Sequence, residues 1–325
     1  MKRLIVLSCL LAIVACTSDA LKSKKTCGDG ANYSHFVNFP AVERAAERCM
    51  YAYESDSAIL AKYSYGNRLF IKTLSNVEIK YFIIYDDMKN TQHIAIRGTD
   101  NFENVKTDAR FKKVHNIKLS DYQSEVCDSL VKNEKLDVWV HKGFNIAANA
   151  IYKDIVDNDR LEPRYITTVT GHSLGGAAAL LVYLNLHVDG VKLDIMYTFG
   201  QPKALTTDGV MKFRCIPYIR FVNEDDLVPL VPPSRLGFGL ITSISLWRHG
   251  LYRHVGDEVI LLKDSNYVYL EYHDAERLRV SSFWRSLGKR DVSLHDHHIP
   301  SYLKNLQIKK DVITERKYKD RKKYD

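Results

Sequence analysis

The sequence predicts an α/β fold with a mostly parallel central sheet and helices on both of its faces. Three observations lead there. From about residue 165 to residue 262, short β-branched or apolar runs alternate with helical patterns. Those runs are near-continuously apolar, as strands buried on both faces must be. The chain is also long enough for one large core: 325 residues, 46% hydrophobic, with 20 Tyr and 12 Phe. Neither a Pro/Ser/Gly linker nor a repeat of solenoid period divides it, so one domain is expected.

The first residues stand apart from that domain. Lys2 and Arg3 precede an apolar run, residues 4–14. Eleven residues at helical rise span about 16 Å, roughly half of a bilayer core, so the run reads as a secretory h-region. It ends in Ile13-Val14-Ala15-Cys16, which resembles the lipobox of bacterial lipoproteins, where the Cys becomes the diacylglyceryl-modified first residue. Ordinary cleavage after Ala15 or Ala20 is the alternative. Thr17 is not the Asp that retains such proteins at the inner membrane, so the expected address is the outer membrane or the surface. The expected organisation is a signal peptide over residues 1–15, a tether over 16–39, a domain over 40–308 and a basic tail over 309–325.

Within the domain, residues 40–63 read as a helix. Pro40 suits a first turn, and Val42, Ala45, Ala46, Cys49, Met50 and Tyr53 recur at helical spacing. Residues 78–85 and 91–97 read as two strands joined by a tight turn. A short strand at 136–140 and a helix at 144–155 follow. Then come a strand at 165–170, an apolar helix at 173–187, and strands at 194–199 and 216–222. A hairpin at 258–262 and 267–272 and helices at 275–287 and 299–308 close the domain. With Cys9 in the leader and Cys16 assigned to lipid, Cys27, Cys49, Cys127 and Cys215 permit two disulfides in three pairings. Order along the chain suggests Cys27–Cys49 and Cys127–Cys215, with buried free thiols as the alternative.

The chemistry centres on Gly171-His172-Ser173-Leu174-Gly175. A β-branched strand enters this segment and an Ala/Leu-rich helix leaves it. A serine on so sharp a turn needs small residues two positions to either side, which Gly171 and Gly175 supply; this is the nucleophile elbow of an α/β-hydrolase. A serine hydroxyl requires a base, and the base an orienting carboxylate, in the chain order Ser, acid, His. The acid candidates are Glu224, Asp225 and Asp226, at the end of strand 216–222, where an open sheet presents its functional edge. Asp226 abuts Leu227-Val228-Pro229, which would hold it in place. Six histidines follow, at 249, 254, 273, 295, 297 and 298. The cluster at 295–298 occupies the loop before the final helix, as a triad histidine would. Neighbours in one short loop cannot all converge on one ion, which argues against a metal site.

These residues sit in an ordered series that resembles the class 3 (fungal-type) lipases. It runs through Ile94-Ala95-Ile96-Arg97-Gly98-Thr99, Val140-His141-Lys142-Gly143-Phe144 and residues 170–176. Tyr197-Thr198-Phe199-Gly200-Gln201-Pro202, residues 223–229, Tyr252-Arg253-His254-Val255-Gly256 and Asp296-His297 with Tyr302 continue it. The resemblance covers residues 75–308. It implies Ser173 as nucleophile, Asp226 as the acid before the hydrophobic-Val-Pro step and His297 as the base. It further implies an oxyanion hole from the Thr99 and Leu174 amides. Two departures stand out: Val105 replaces the Trp usual a few residues beyond Arg-Gly-Thr, and residues 236–247 form an unusually apolar loop.

The implied function is hydrolysis of lipid acyl esters, acylglycerols or phospholipids, without metal or organic cofactor. A short-chain or aryl esterase and a non-catalytic envelope lipoprotein are the alternatives. The expected partners are a lipid ester and a membrane surface reached through the lipid anchor. The net charge of +8 is concentrated near the C-terminus, but the aromatic interleaving of a single-strand binder is missing, so nucleic acid is not expected. That end reads instead as a solvated, partly disordered tail near anionic lipid.

Overall fold

The computed structural model describes residues 37–98, 130–223, 226–231, 252–275, 277–278, 295–309 and 313–324. The leader with Cys16, Thr99, Val105 and the apolar loop 236–247 lie outside the described residues.

Helix α1 (Phe39–Tyr51) starts where Asn38 accepts from the Ala41 amide at 3.1 Å and Pro40 enters the first turn. The single helix expected over 40–63 is in fact two. Ser55 adopts an extended conformation and accepts from the Ala58 amide, so it caps a new helix, α2 (Asp56–Tyr63). Strands β1 (Arg68–Leu74), β2 (Ile79–Asp86) and β3 (Thr91–Ile96) then form an antiparallel meander. β1 shows no strict alternation of buried and exposed positions, and period-two reading passes over it.

A separate two-stranded ribbon, β4 (Leu130–Asn133) and β5 (Val138–His141), leads into α3 (Lys142–Asp157). After it come β6 (Ile166–His172), α4 (Leu174–Val188), β7 (Met196–Phe199), α5 (Thr207–Phe213) and β8 (Tyr218–Asn223). β9 (Asp257–Leu261), β10 (Asn266–Leu270), α6 (Ile299–Ile308) and β11 (Thr314–Glu315) complete the set.

The nine strands of the main sheet lie in the order β1-β2-β3-β6-β7-β8-β9-β10-β11. The run from β3 through β6, β7 and β8 to β9 is parallel, as are β10 and β11. Alternation along each strand sends side chains to two cores. Ile94, Ile96, Val169, Met196 and Tyr218 pack with α3 and α4 on one face, and Phe199, Phe221 and Val259 pack with α1 and α6 on the other. The sheet is therefore covered on both faces, and its carboxyl edge is free to carry loops.

Two further expectations need correction. The tail does not begin as a solvated segment at residue 309. Lys309 is fully buried, its ammonium donating to the carbonyls of Leu262, Asp264 and Asn305, and β11 adds to the edge of the sheet beyond it. The guessed Cys27–Cys49 pairing also fails. Cys49 is a buried free thiol 3.2 Å from the Thr170 hydroxyl, and burial pushes its pKa up to about 12. Cys215 is disulfide-bonded. Most of the helix expected over 275–287 also lies outside them.

Candidate active site

Ser173 links the end of β6 to the start of α4 with φ 58° and ψ −133°, a conformation L-residues rarely adopt. The backbone tolerates it because the flanking glycines lack Cβ atoms. A Cβ on Gly175 would lie 2.5 Å from the Ile96 carbonyl oxygen, and one on Gly171 would collide with the Gly175 backbone. Leu174 is the first residue of α4, so its amide has no acceptor within the helix and belongs to the positive end of the helix dipole.

Asp226 follows β8 in a turn stabilised by its own amide donating to the Asn223 carbonyl. His297 ends a one-turn 3-10 segment before α6. The fold brings the three together although they are far apart in sequence. His297 Nδ1 lies 2.8 Å from Asp226 Oδ2, and its Nε2 lies 2.9 Å from the Ser173 hydroxyl. A carboxylate only accepts, so Nδ1 carries the proton, and the Nε2 of the neutral ring accepts from the serine. All three side chains are buried.

Burial works to raise the Asp226 carboxyl. The electrostatic attraction of the His297 ring, the hydrogen bonds from His297 and the Tyr302 hydroxyl, and the Val228 amide at 2.9 Å outweigh it and hold the pKa below the usual value. Asp226 thus stays ionised beside His297.

The remaining candidates separate cleanly. Glu224 and Asp225 lie outside the described residues, as does His249. His254 donates to the Pro229 carbonyl at 2.7 Å, and His298 is exposed. Of the proposed oxyanion pair, Leu174 is at the elbow and Thr99 lies outside the described residues.

Three residues that motif reading did not assign support the site from below. His172 Nε2 lies 2.6 Å from the His297 carbonyl, which can only accept, so His172 is protonated there and its Nδ1 accepts from the Tyr53 hydroxyl at 2.9 Å. Burial, followed by the field of His297, lowers the His172 pKa to about 3, so the ring stays neutral. Gly200 has φ 57°, and a Cβ there would lie 2.8 Å from Asp226 Oδ2 and 2.9 Å from His297. Its place in the Tyr-Thr-Phe-Gly-Gln-Pro block was the one available hint.

An elbow serine hydrogen-bonded to a histidine that is in turn bonded to an ionised carboxylate belongs to nucleophilic acyl transfer. The family described as lipase (class 3) matches residues 93–236. This segment belongs to the class 3 lipase family. The chain is 32% identical over 180 residues to a lipase of Rhizomucor miehei, covering 52% of this chain and 45% of that protein. It is 29% identical over 205 residues to a secreted mono- and diacylglycerol lipase of Fusarium solani, covering 61% of this chain and 53% of that one. It thus spans about half the length of these curated relatives. Lipase II of Rhizopus niveus shares the fold, with a TM-score of 0.55 at 21% identity, covering 79% of this chain and 93% of that one.

Proposed function

We propose that this class 3 lipase-family protein is a serine hydrolase that cleaves the acyl esters of lipids, acylglycerols or phospholipids. The observation that carries the reading is the continuous chain from the Ser173 hydroxyl through His297 to Asp226, mounted on a strained elbow. In this reading His297 removes the Ser173 proton as Oγ attacks the ester carbonyl. Asp226 stabilises the imidazolium that forms. The Leu174 amide, with that of Thr99, receives the oxyanion, and losing one such donor typically costs about 3–4 kcal/mol of barrier. His297 then returns its proton to the leaving alcohol. Water, activated by the same histidine, releases the fatty acid and restores Ser173.

Lipid esters are favoured over small soluble ones by the relatives' names and by the apolar leader ending at Cys16. We infer from that leader an exported protein tethered to the bacterial envelope through an acylated Cys16. Turnover of an ester chain-length series and of phospholipid vesicles tests the first reading. Ser173→Ala should lower kcat/KM by about 10⁴-fold or more with an unchanged circular dichroism spectrum; full activity in that variant would refute it. Preference for soluble short esters over aggregated ones would move the reading to a carboxylesterase. For the tether, Cys16→Ala should abolish labelling by a fatty-acid probe, and persistent labelling would sink it.

A further inference from the structure

Six of the twelve residues 313–324 are Lys or Arg and only two are acidic. A disordered tail would average such charges over a large volume, but this one is folded. The Thr314 amide donates to Ser265, the Arg316 amide to Tyr267, and the Lys263 amide to the Tyr324 carbonyl at 2.9 Å. Between these ties, Tyr318–Lys323 forms a 3-10 helix.

With three residues per turn, that helix sorts its side chains onto three faces. Tyr318, Arg321 and Tyr324 share the inward face: both rings pack on the Val222, Ile260 and Val268 cluster, and the Arg321 guanidinium lies 3.8 Å from the Tyr318 centroid. Asp320 and Lys323 share the second and pair at 3.1 Å. Lys319 and Lys322 share the third and are exposed, as is Lys317 just before the helix. Arg316 is directed inward, to Asn266 and the Tyr324 ring. Folding therefore commits both arginines to structure and fixes a row of ammonium groups in solvent.

The location gives this row a purpose. Lys263 follows β9, whose Leu261 registers with Asn223 at the carboxyl end of β8, three residues before Asp226. The chain end is tied to the same sheet edge that carries Ser173, Asp226 and His297, about 10 Å along it from β8 at two strand spacings. Exposed Lys263, whose amide holds the chain end, adds a further ammonium there, and α6 carries Tyr302 against Asp226 on the opposite face of the sheet.

We propose that Lys317, Lys319 and Lys322 form an anionic-lipid docking surface that holds the sheet edge bearing Ser173 against a negatively charged membrane. Each such lysine near an anionic surface contributes several-fold to binding, and salt screens the attraction. The proposal does not depend on the hydrolytic reading, because binding is measured without turnover.

The test is co-sedimentation of the Cys16→Ser chain, which removes any acyl anchor, with phosphatidylcholine vesicles and with vesicles containing phosphatidylglycerol. The chain should bind the anionic vesicles at least tenfold more tightly, and raised salt should release it. Lys319→Glu/Lys322→Glu should lose at least tenfold of that affinity while keeping its circular dichroism spectrum. Lys72→Glu/Lys153→Glu makes the same change in net charge away from this edge and should bind like the parent. Equal binding to both vesicle types, undiminished binding by the first variant, or equal loss by the second would each overturn the proposal.

Discussion

At the scale of the residue, the site depends on groups that hold Asp226 and His297 as much as on those two themselves. Gly200 is the strictest case, because its φ of 57° and its contacts leave no room for a Cβ. Gly200→Ala should push the acid and base out of register and lower kcat by about a hundredfold with little change in KM. Ester kinetics at saturating substrate check this, and an unchanged kcat would show that the pair can shift without loss. Tyr302→Phe removes the hydroxyl that helps hold the Asp226 carboxyl low. Its pKa should rise, so the Asp226 carboxyl followed by NMR should titrate at higher pH than in wild type. A carboxyl titration superimposable on that of wild type would deny Tyr302 this role. Ser173 and Leu174 were legible from residue type and spacing, since an elbow needs its glycines two residues either side. Asp226 and His297 were reached only by adding family order, because three acids and six histidines competed. His172 and Tyr53 were not legible, since their bonds close over 125 and 119 residues of sequence.

At the scale of the element, what the sequence revealed was the strands that are apolar on both faces. β6, β7 and β8 were found within two residues of their ends, because a sheet covered on both sides leaves little choice of residue. The edge strands β1, β4 and β11 were missed, since half-exposed strands carry no comparable signal. The polar content of buried strands was missed as well. Arg220 and Glu258 register directly across β8 and β9, both buried, with Nη1 and Oε2 2.7 Å apart. Glu258→Ala would strand a guanidinium in the sheet and should cost about 3–5 kcal/mol. Arg220→Met/Glu258→Met should recover most of that loss. Urea denaturation of both variants decides it; a double variant no more stable than Glu258→Ala would mean that the pair contributes more than its own neutralisation.

At the scale of the whole molecule, pH acts through histidines that the fold keeps uncharged. Burial lowers the pKa of His93 to about 3, of His141 to about 4 and of His172 to about 3. In the unfolded chain each titrates near 6.5. Between that value and the folded ones the unfolded state binds more protons, so stability is complete above about pH 6.5 and falls as the pH drops toward 4. Each group contributes about 1.4 kcal/mol per pH unit in that window. His93 separates this effect from the chemistry, since it sits mid-sheet with its Nδ1 2.7 Å from the Thr168 hydroxyl, away from Ser173. His93→Gln cannot take up the proton. It should be somewhat less stable than wild type at pH 7 but should lose about 2 kcal/mol less on going to pH 5. Urea unfolding of both proteins at the two pH values measures the difference directly. Parallel losses would mean that His93 is protonated in the folded state, and that acid lability arises elsewhere.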